Sequence, residues 1–292
     1  MKIVYFGTPD FAVKPLQALI EKGHEVCAVV TREDKPRGRG YELFPTPVKE
    51  EALKYSIPVI HPVKLKDEQF LNQLKQFGAD CFVVVAYGRI LPKVLLDIPR
   101  YGCINVHGSL LPSYRGAAPI QWAVIDGLKE SGVTTMLMDE GLDTGDILRQ
   151  YRIPINPDET GGSLFDKLAD LGGLALIDTL QGLEDGTISP VKQGETDTEY
   201  ARMLTKADGK IDFNDSAVKI ERLVRGLNPW PSAYTTLNGK TLKIWKARVS
   251  ETGDDDNPLC FKTGDGYLYA TEVQLEGKKR MDAATFLLGY KH

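Results

Sequence analysis

The chain has 292 residues, 42% of them apolar and 26% charged, which excludes a disordered segment and gives length for one large domain or two ordinary ones. Lys and Arg number 36 against 40 Asp and Glu, a net charge of −4, so the total demands no polyanionic partner. There is no apolar run of the ~18 residues that cross a membrane. The opening "MKIVYFGTPDF" is too short and too polar for a secretory signal, and Cys27, Cys81, Cys103 and Cys260 form no CxxC pair, so a cytoplasmic protein with buried free thiols is expected.

In chain order, "KIVYF" reads as a strand and "DFAVKPLQALIEKG" as a helix, with Asp10 placed to cap it and Gly23 to end it. "EVCAVV" is a second strand, "VKEEALKY" a helix and "IPVIH" a short third strand. "DEQFLNQLKQFG" is helical, "CFVVVAYG" is a wholly apolar fourth strand and "GCINVHG" a fifth. Continuous Val/Ile runs alternating with helices predict an α/β fold, a doubly wound and mostly parallel sheet covered on both faces. Ligands of such sheets bind beyond the carboxyl ends of the strands.

"GVTTMLMDE" and "DILRQYRIPI" read as two more strands around the loop "EGLDTGD", followed by a long helix, "SLFDKLADLGGLALIDTLQGLEDG". The polar stretch "TISPVKQGETDTEY" reads as a linker. Beyond it, "SAVKIERLVRGL" is helical and "SAYTTLNGKTLKIWKARV" is a hairpin turning at Asn238-Gly239. A second turn falls at Gly264-Asp265-Gly266. Short strands with tight turns predict a small β-barrel of the OB type. The expected organisation is a catalytic domain over 1–188, a linker over 189–203 and a barrel over 204–292. The part from Leu204 onward carries 14 Lys/Arg against 12 Asp/Glu, so it is the mildly basic one.

Few residues carry chemistry. "GTPDF" opens a helix after the first strand, where a dinucleotide fingerprint would sit, but GxGxxG is absent; an ordinary turn and an anion site both fit. No P-loop and no G-x-S-x-G occurs. A lone histidine is usually a satisfied core side chain, yet His107 stands at the carboxyl end of a predicted parallel strand with Asn105 on the same face. Asp143 and Asp146 in "GLDTGD" have the bland reading of turn residues. They gain interest only if the fold carries Asp143 to His107, where a carboxylate would set the imidazole tautomer and raise its basicity. Two acids without a second cluster make no hard-metal site, so no metal is expected. The loop "REDKPRGRGYELFPTPVK", with Lys35, Arg37, Arg39 and Lys49, reads either as a solvated surface loop or as an arm that grips a phosphate backbone.

At "INVHGSLLPSYRGAAPIQWA" joined to "GVTTMLMDEGLDTGDIL" the chain resembles the formyltransferase family that uses 10-formyltetrahydrofolate. "IVYFGTPDFA", "GRGYELFPTPVK", "VVVAYGRILP" and "RGLNPWPSAY" extend the resemblance over nearly the whole chain. It is strongest to members whose acceptor is initiator methionyl-tRNA. The resemblance implies a catalytic set of Asn105, His107 and Asp143. It implies a folate pocket from Tyr87, Gly88, Arg89, Ile90 and Leu91, from Ser109, Leu110, Leu111 and Pro112, and from Gly141 and Leu142. It implies tRNA contacts through Lys35, Arg37, Arg39 and Lys49, with further basic surface on the barrel; the chain is expected to be a monomer without membrane attachment. Arg89 departs from the family pattern, which has an aliphatic or amide residue there, and the barrel is expected to lack a hairpin between "GDDDN" and "CFKTGDG". The rival expectations are an amino-sugar or glycinamide-ribonucleotide formyltransferase, a folate-binding protein or hydrolase without an acceptor, and a non-catalytic RNA-binding module.

Overall fold

The structure is a computed structural model that describes residues 1–37 and 42–290. The chain forms two compact units. The first holds Met1–Gly116, Gly132–Ile153 and Asp166–Tyr200; the second holds Ala117–Ser131, Pro154–Phe165 and the chain from Ala201. The second unit thus takes two excursions from the segment that precedes the predicted linker.

The chain begins with β1 (Lys2–Gly7), α1 (Val13–Glu21) and β2 (Glu25–Val30), then β3 (Lys35–Arg37), β4 (Glu42–Phe44) and α2 (Pro47–Lys54). Next come β5 (Val59–Ile60), α3 (Glu68–Phe77), β6 (Cys81–Val85), α4 (Lys93–Leu96) and β7 (Cys103–His107). α5 (Pro119–Ile125), β8 (Glu130–Leu137), β9 (Asp146–Pro154) and α6 (Gly161–Glu184) follow. One sheet runs in the order β5-β2-β1-β6-β7-β8-β9. The first five strands are parallel, and β8 pairs antiparallel to β7, with Asn105 opposite Met136 and His107 opposite Thr134.

Local signals explain the helix ends. Thr46 caps α2, its hydroxyl accepting from the Lys49 N–H at 3.2 Å, with Pro47 in the first turn. Asp67 caps α3 and Gly78 closes it at φ +57°. Asp10 does not cap α1. It lies in a 3₁₀ turn, Asp10–Ala12, so the helix starts at Val13 with no side-chain cap. The basic loop contains a two-stranded hairpin, β3–β4, where a featureless loop is expected from the sequence.

The two faces of β7 set up the site. Ile104 and Val106 are buried on one face, and a Cβ on Gly172 of α6 would stand 3.1 Å from Val106, so that helix lies directly on the strand. Cys103 turns the other way, into a core with Phe6, Phe82, Val84, Leu74 and Leu95. Asn105 and His107 continue that second face toward the carboxyl end.

The second unit contains α7 (Ala217–Gly226) and an antiparallel sheet of β10 (Ala233–Leu237), β11 (Lys240–Ser250), β12 (Cys260–Lys262), β13 (Tyr267–Leu275) and β14 (Met281–Asp282), with α8 (Ala283–Gly289) at its end. The order is β10-β11-β13-β12, with β14 on β13. This is a curled sheet, a half-barrel, around a core of Ile220, Val224, Ile244, Leu268 and Val273. The Asn238-Gly239 turn has both residues at positive φ, +47° and +75°, as a tight two-residue hairpin requires.

Candidate active site

Asn105 and His107 are buried, at 8% and 6% exposure. Burying two polar side chains on one strand face costs free energy unless something engages them. For His107 the partner is visible: Nε2 lies 3.0 Å from the Tyr114 carbonyl oxygen. A carbonyl only accepts, so Nε2 carries the hydrogen and Nδ1 of the neutral ring keeps a free lone pair. Among the described residues nothing hydrogen-bonds the Asn105 carboxamide.

Asp143 does come to His107. Its Oδ1 stands 3.8 Å from Nδ1, beyond hydrogen-bond length but within reach of a charge that forms on the ring. The tautomer is therefore set by the Tyr114 carbonyl, and not by the carboxylate as expected from the sequence. Asp143 Oδ2 accepts the Gly116 N–H at 2.9 Å. The residue itself sits at φ +55°, in the left-handed region that aspartate tolerates better than most side chains.

The loop takes its shape from small residues. Asp139 Oδ1 accepts the Gly141 N–H at 3.0 Å and the Thr144 hydroxyl at 2.7 Å, closing the turn before Asp143. A Cβ at Gly145 would stand 1.9 Å from the Leu137 carbonyl oxygen, so the chain passes there only as glycine. Asp146, the other acid of the loop, starts β9 and pairs with Lys192 at 3.8 Å.

The remaining expected residues fall in several places. Tyr87 is buried, its ring edge-on to Phe6 at 5.5 Å, and burial raises its hydroxyl above the usual phenol range. Gly88 stands at φ +74° and its carbonyl accepts from Arg32 at 3.0 Å. The departure at Arg89 has a local explanation: its guanidinium donates to the Pro62 and Val63 carbonyls at 2.7 and 3.0 Å, which binds it to the adjacent loop. Ile90 and Leu142 are exposed, and Leu91 and Leu111 are core. The Ser109 hydroxyl donates to the Ser113 carbonyl at 2.7 Å, which occupies it within the turn. Leu110 and Pro112 complete that turn, half-buried.

A cleft of about 310 Å³ opens beside this strand face, lined by Leu96, Asp97, Cys103, Leu137, Met138, Asp139 and Glu140 among others. None of the predicted folate residues lines it; it adjoins Gly141 through Asp139 and Glu140. Cys103 could have been found by period two, since it shares the face of Asn105 and His107. Burial pushes its thiol up to about 12, so it is a neutral wall and not a nucleophile. Among the described residues no three His, Cys, Asp or Glu side chains cluster as metal ligands would, and no helix is long and apolar enough to cross a membrane.

Of the four predicted phosphate-gripping residues, Arg39 lies outside the described residues, and only the backbone of Arg37, in β3, is described. Lys35 is exposed on the β3–β4 hairpin. Lys49 is half-buried and paired with Asp34 at 2.6 Å, so its charge is already met within the unit.

Comparison with known proteins completes the picture. Residues 1–180 match the family model described as "Formyl transferase", and residues 203–291 match "Formyl transferase, C-terminal domain". The chain is 55% identical to the methionyl-tRNA formyltransferase of Lachnospira eligens, covering 99% of this chain and 96% of that one. It is 53% identical to the enzyme of the same name from Agathobacter rectalis, with the same coverage. Among solved structures, WlaRD, a sugar 3N-formyl transferase crystallised with dTDP and 5-N-formyl-THF, superposes at a TM-score of 0.69 with 19% identity, covering 96% of this chain and 99% of that one. At that identity the likeness is one of fold.

Proposed function

Since the chain belongs to the formyl transferase family, in its N-terminal and C-terminal domains alike, we propose that it transfers a formyl group from 10-formyltetrahydrofolate to the α-amino group of methionine carried on initiator tRNA. The observation that carries the choice of acceptor is full-length identity above half to relatives named methionyl-tRNA formyltransferase, against 19% to the sugar formyltransferase.

The geometry supports a role for each residue of the catalytic set. The amine attacks the formyl carbon, a C–N bond forms, and the carbonyl oxygen becomes an oxyanion. The buried Asn105 amide is a donor with no competing partner among the described residues, and in a dry site such a donor stabilises developing charge strongly. His107 presents Nδ1 bare, because Nε2 is engaged by Tyr114, so Nδ1 takes the proton that the amine loses. The imidazolium so formed faces Asp143 at 3.8 Å, which offsets its charge. The bond to N10 of the folate then breaks, and the proton leaves with that nitrogen.

We place the folate beyond the carboxyl ends of β6 and β7, where the stretch Tyr87 to Leu91 follows the first strand and the stretch Ser109 to Pro112 follows the second, next to His107. The hairpin with Lys35 and the cations of β11 supply positive charge for the tRNA backbone.

The test is transfer from 10-formyltetrahydrofolate to three acceptors in parallel: methionyl-tRNA, a dTDP-amino sugar and glycinamide ribonucleotide. Turnover on methionyl-tRNA at least about a thousandfold above the other two in kcat/KM is expected. A preference for either small amine overturns the reading.

A further inference from the structure

The stretch after α6 reads in the sequence as a linker, yet in the structure it is bound to the active-site loops residue by residue. Ile147 and Val191 exchange backbone hydrogen bonds at 2.7 and 2.8 Å. The Ser113 hydroxyl donates to Asp197 at 3.1 Å, and the Tyr114 N–H donates to the Thr198 hydroxyl at 2.7 Å. The closest-fitting member is Gln193. Its Nε2 donates to the Asp143 carbonyl at 3.0 Å and to the Gly145 carbonyl at 2.6 Å. Its Oε1 accepts from Arg115 Nε at 3.1 Å and Nη2 at 2.8 Å.

We propose that Gln193 is a positioning residue for Asp143, with Arg115 fixing the orientation of its amide; the inference rests on Asp143 belonging to the catalytic set. Three observations carry it. First, Asp143 stands in the left-handed region, which an aspartate adopts where hydrogen bonds around it support the turn. Gln193 grips the carbonyls of Asp143 itself and of Gly145 with one NH₂ group. Second, the amide cannot be turned around. Guanidinium only donates and carbonyls only accept, so oxygen must face Arg115 and nitrogen must face the loop. A carboxylate of the same shape would press an oxygen against two carbonyl oxygens, and an aspartate-length side chain would not reach.

Third, Arg115 lies between the two residues that touch the catalytic pair. Tyr114 offers the carbonyl that fixes His107, and Gly116 offers the N–H that holds the Asp143 carboxylate. The Arg115–Gln193 link therefore closes a ring running from His107 through residues 114–116, across to Gln193 and back to Asp143. The distance between the imidazole and the carboxylate is fixed from both sides.

The experiment is a double-mutant cycle on the full chain, read by single-turnover formylation of methionyl-tRNA. Gln193→Glu is expected to lower the rate by about tenfold to a hundredfold, as sub-ångström misplacement of a reacting group does. KM for both substrates should stay within about threefold. Gln193→Met, which removes the donors without adding repulsion, should lose less, and both variants should fold with a melting temperature near that of the parent. In an Asp143→Ala background Gln193→Glu should change the rate by no more than about twofold, because the group it positions is gone. A Gln193→Glu enzyme at full rate, or one whose loss persists undiminished without Asp143, overturns the proposal while leaving the catalytic set intact. A full rate in Asp143→Ala alone would instead remove the catalytic role of Asp143, and the proposal with it.

Discussion

β7 and β11 are both strands with polar side chains on one face, and they use them in opposite ways. β7 is buried at all five positions, and its polar pair, Asn105 and His107, sits against protein. β11 is eleven residues long and leaves Lys246 and Arg248 at least partly in solvent. Its cations rest on neighbours in the same unit: Lys243 lies 5.5 Å from the Trp245 ring centroid, Lys246 3.6 Å from Glu272, and Arg248 4.1 Å from the Tyr269 ring centroid. In the dry setting of β7 one donor is worth several kcal/mol at the moment charge develops. In the wet setting of β11 a charge is worth ~1 kcal/mol or less and is screened by salt. The first arrangement suits bond-making. The second suits holding a large polyanion by many weak interactions.

The sharpest way to break this contrast is Asn105→Ala. The variant should lose about a hundred- to a thousandfold in kcat, with KM for methionyl-tRNA unmoved. Near-normal turnover would mean that β7 is only a wall. A smaller effect is expected at Gly145→Ala, where the new methyl would meet the Leu137 carbonyl at 1.9 Å and push Asp143 off its position. A fall in kcat on the order of tenfold should accompany a modest loss in melting temperature. Unchanged turnover would show that the carboxylate acts from a range of positions.

How much of this was legible follows from the range of each interaction. Period two alone put Asn105 and His107 on one face, and their position toward the carboxyl end of a parallel strand singled that face out. Asp143 has no local signal; its meaning lies in an approach to His107, 36 positions away in sequence, and only family resemblance supplied it. The antiparallel direction of β8 was illegible because an apolar run such as "GVTTMLM" is the same in either direction. Tyr114 and Gln193 were missed for one physical reason. Their decisive hydrogen bonds use backbone carbonyls, and every residue type has one. The linker reading of Gln193 came from composition, which reports exposure and not hydrogen bonding.

On β11 the expected outcome is different in kind. Replacing Lys243, Lys246 and Arg248 together by alanine should raise KM for tRNA by about tenfold and leave kcat at saturation in place. The slope of log affinity against log salt should become shallower by about one for each phosphate that the variant no longer neutralises. If kcat fell while KM and the salt slope stayed put, the division between the two strands would be wrong.

The smallest effect separates fold from binding within the half-barrel itself. Gly239 closes the β10–β11 hairpin at φ +75° with open space around its Cβ position, so Gly239→Ala meets no clash and bears only the strain of the left-handed backbone. The cost should be about 1–2 kcal/mol in chemical denaturation of the second unit's transition. Because the two turn residues, Asn238 and Gly239, carry no charge, the tRNA salt slope and kcat should match the parent at a temperature well below unfolding. A changed salt slope in this variant would show that β11 binds through its particular curvature and not through the charges it displays, since curvature is what a strained hairpin turn would alter first.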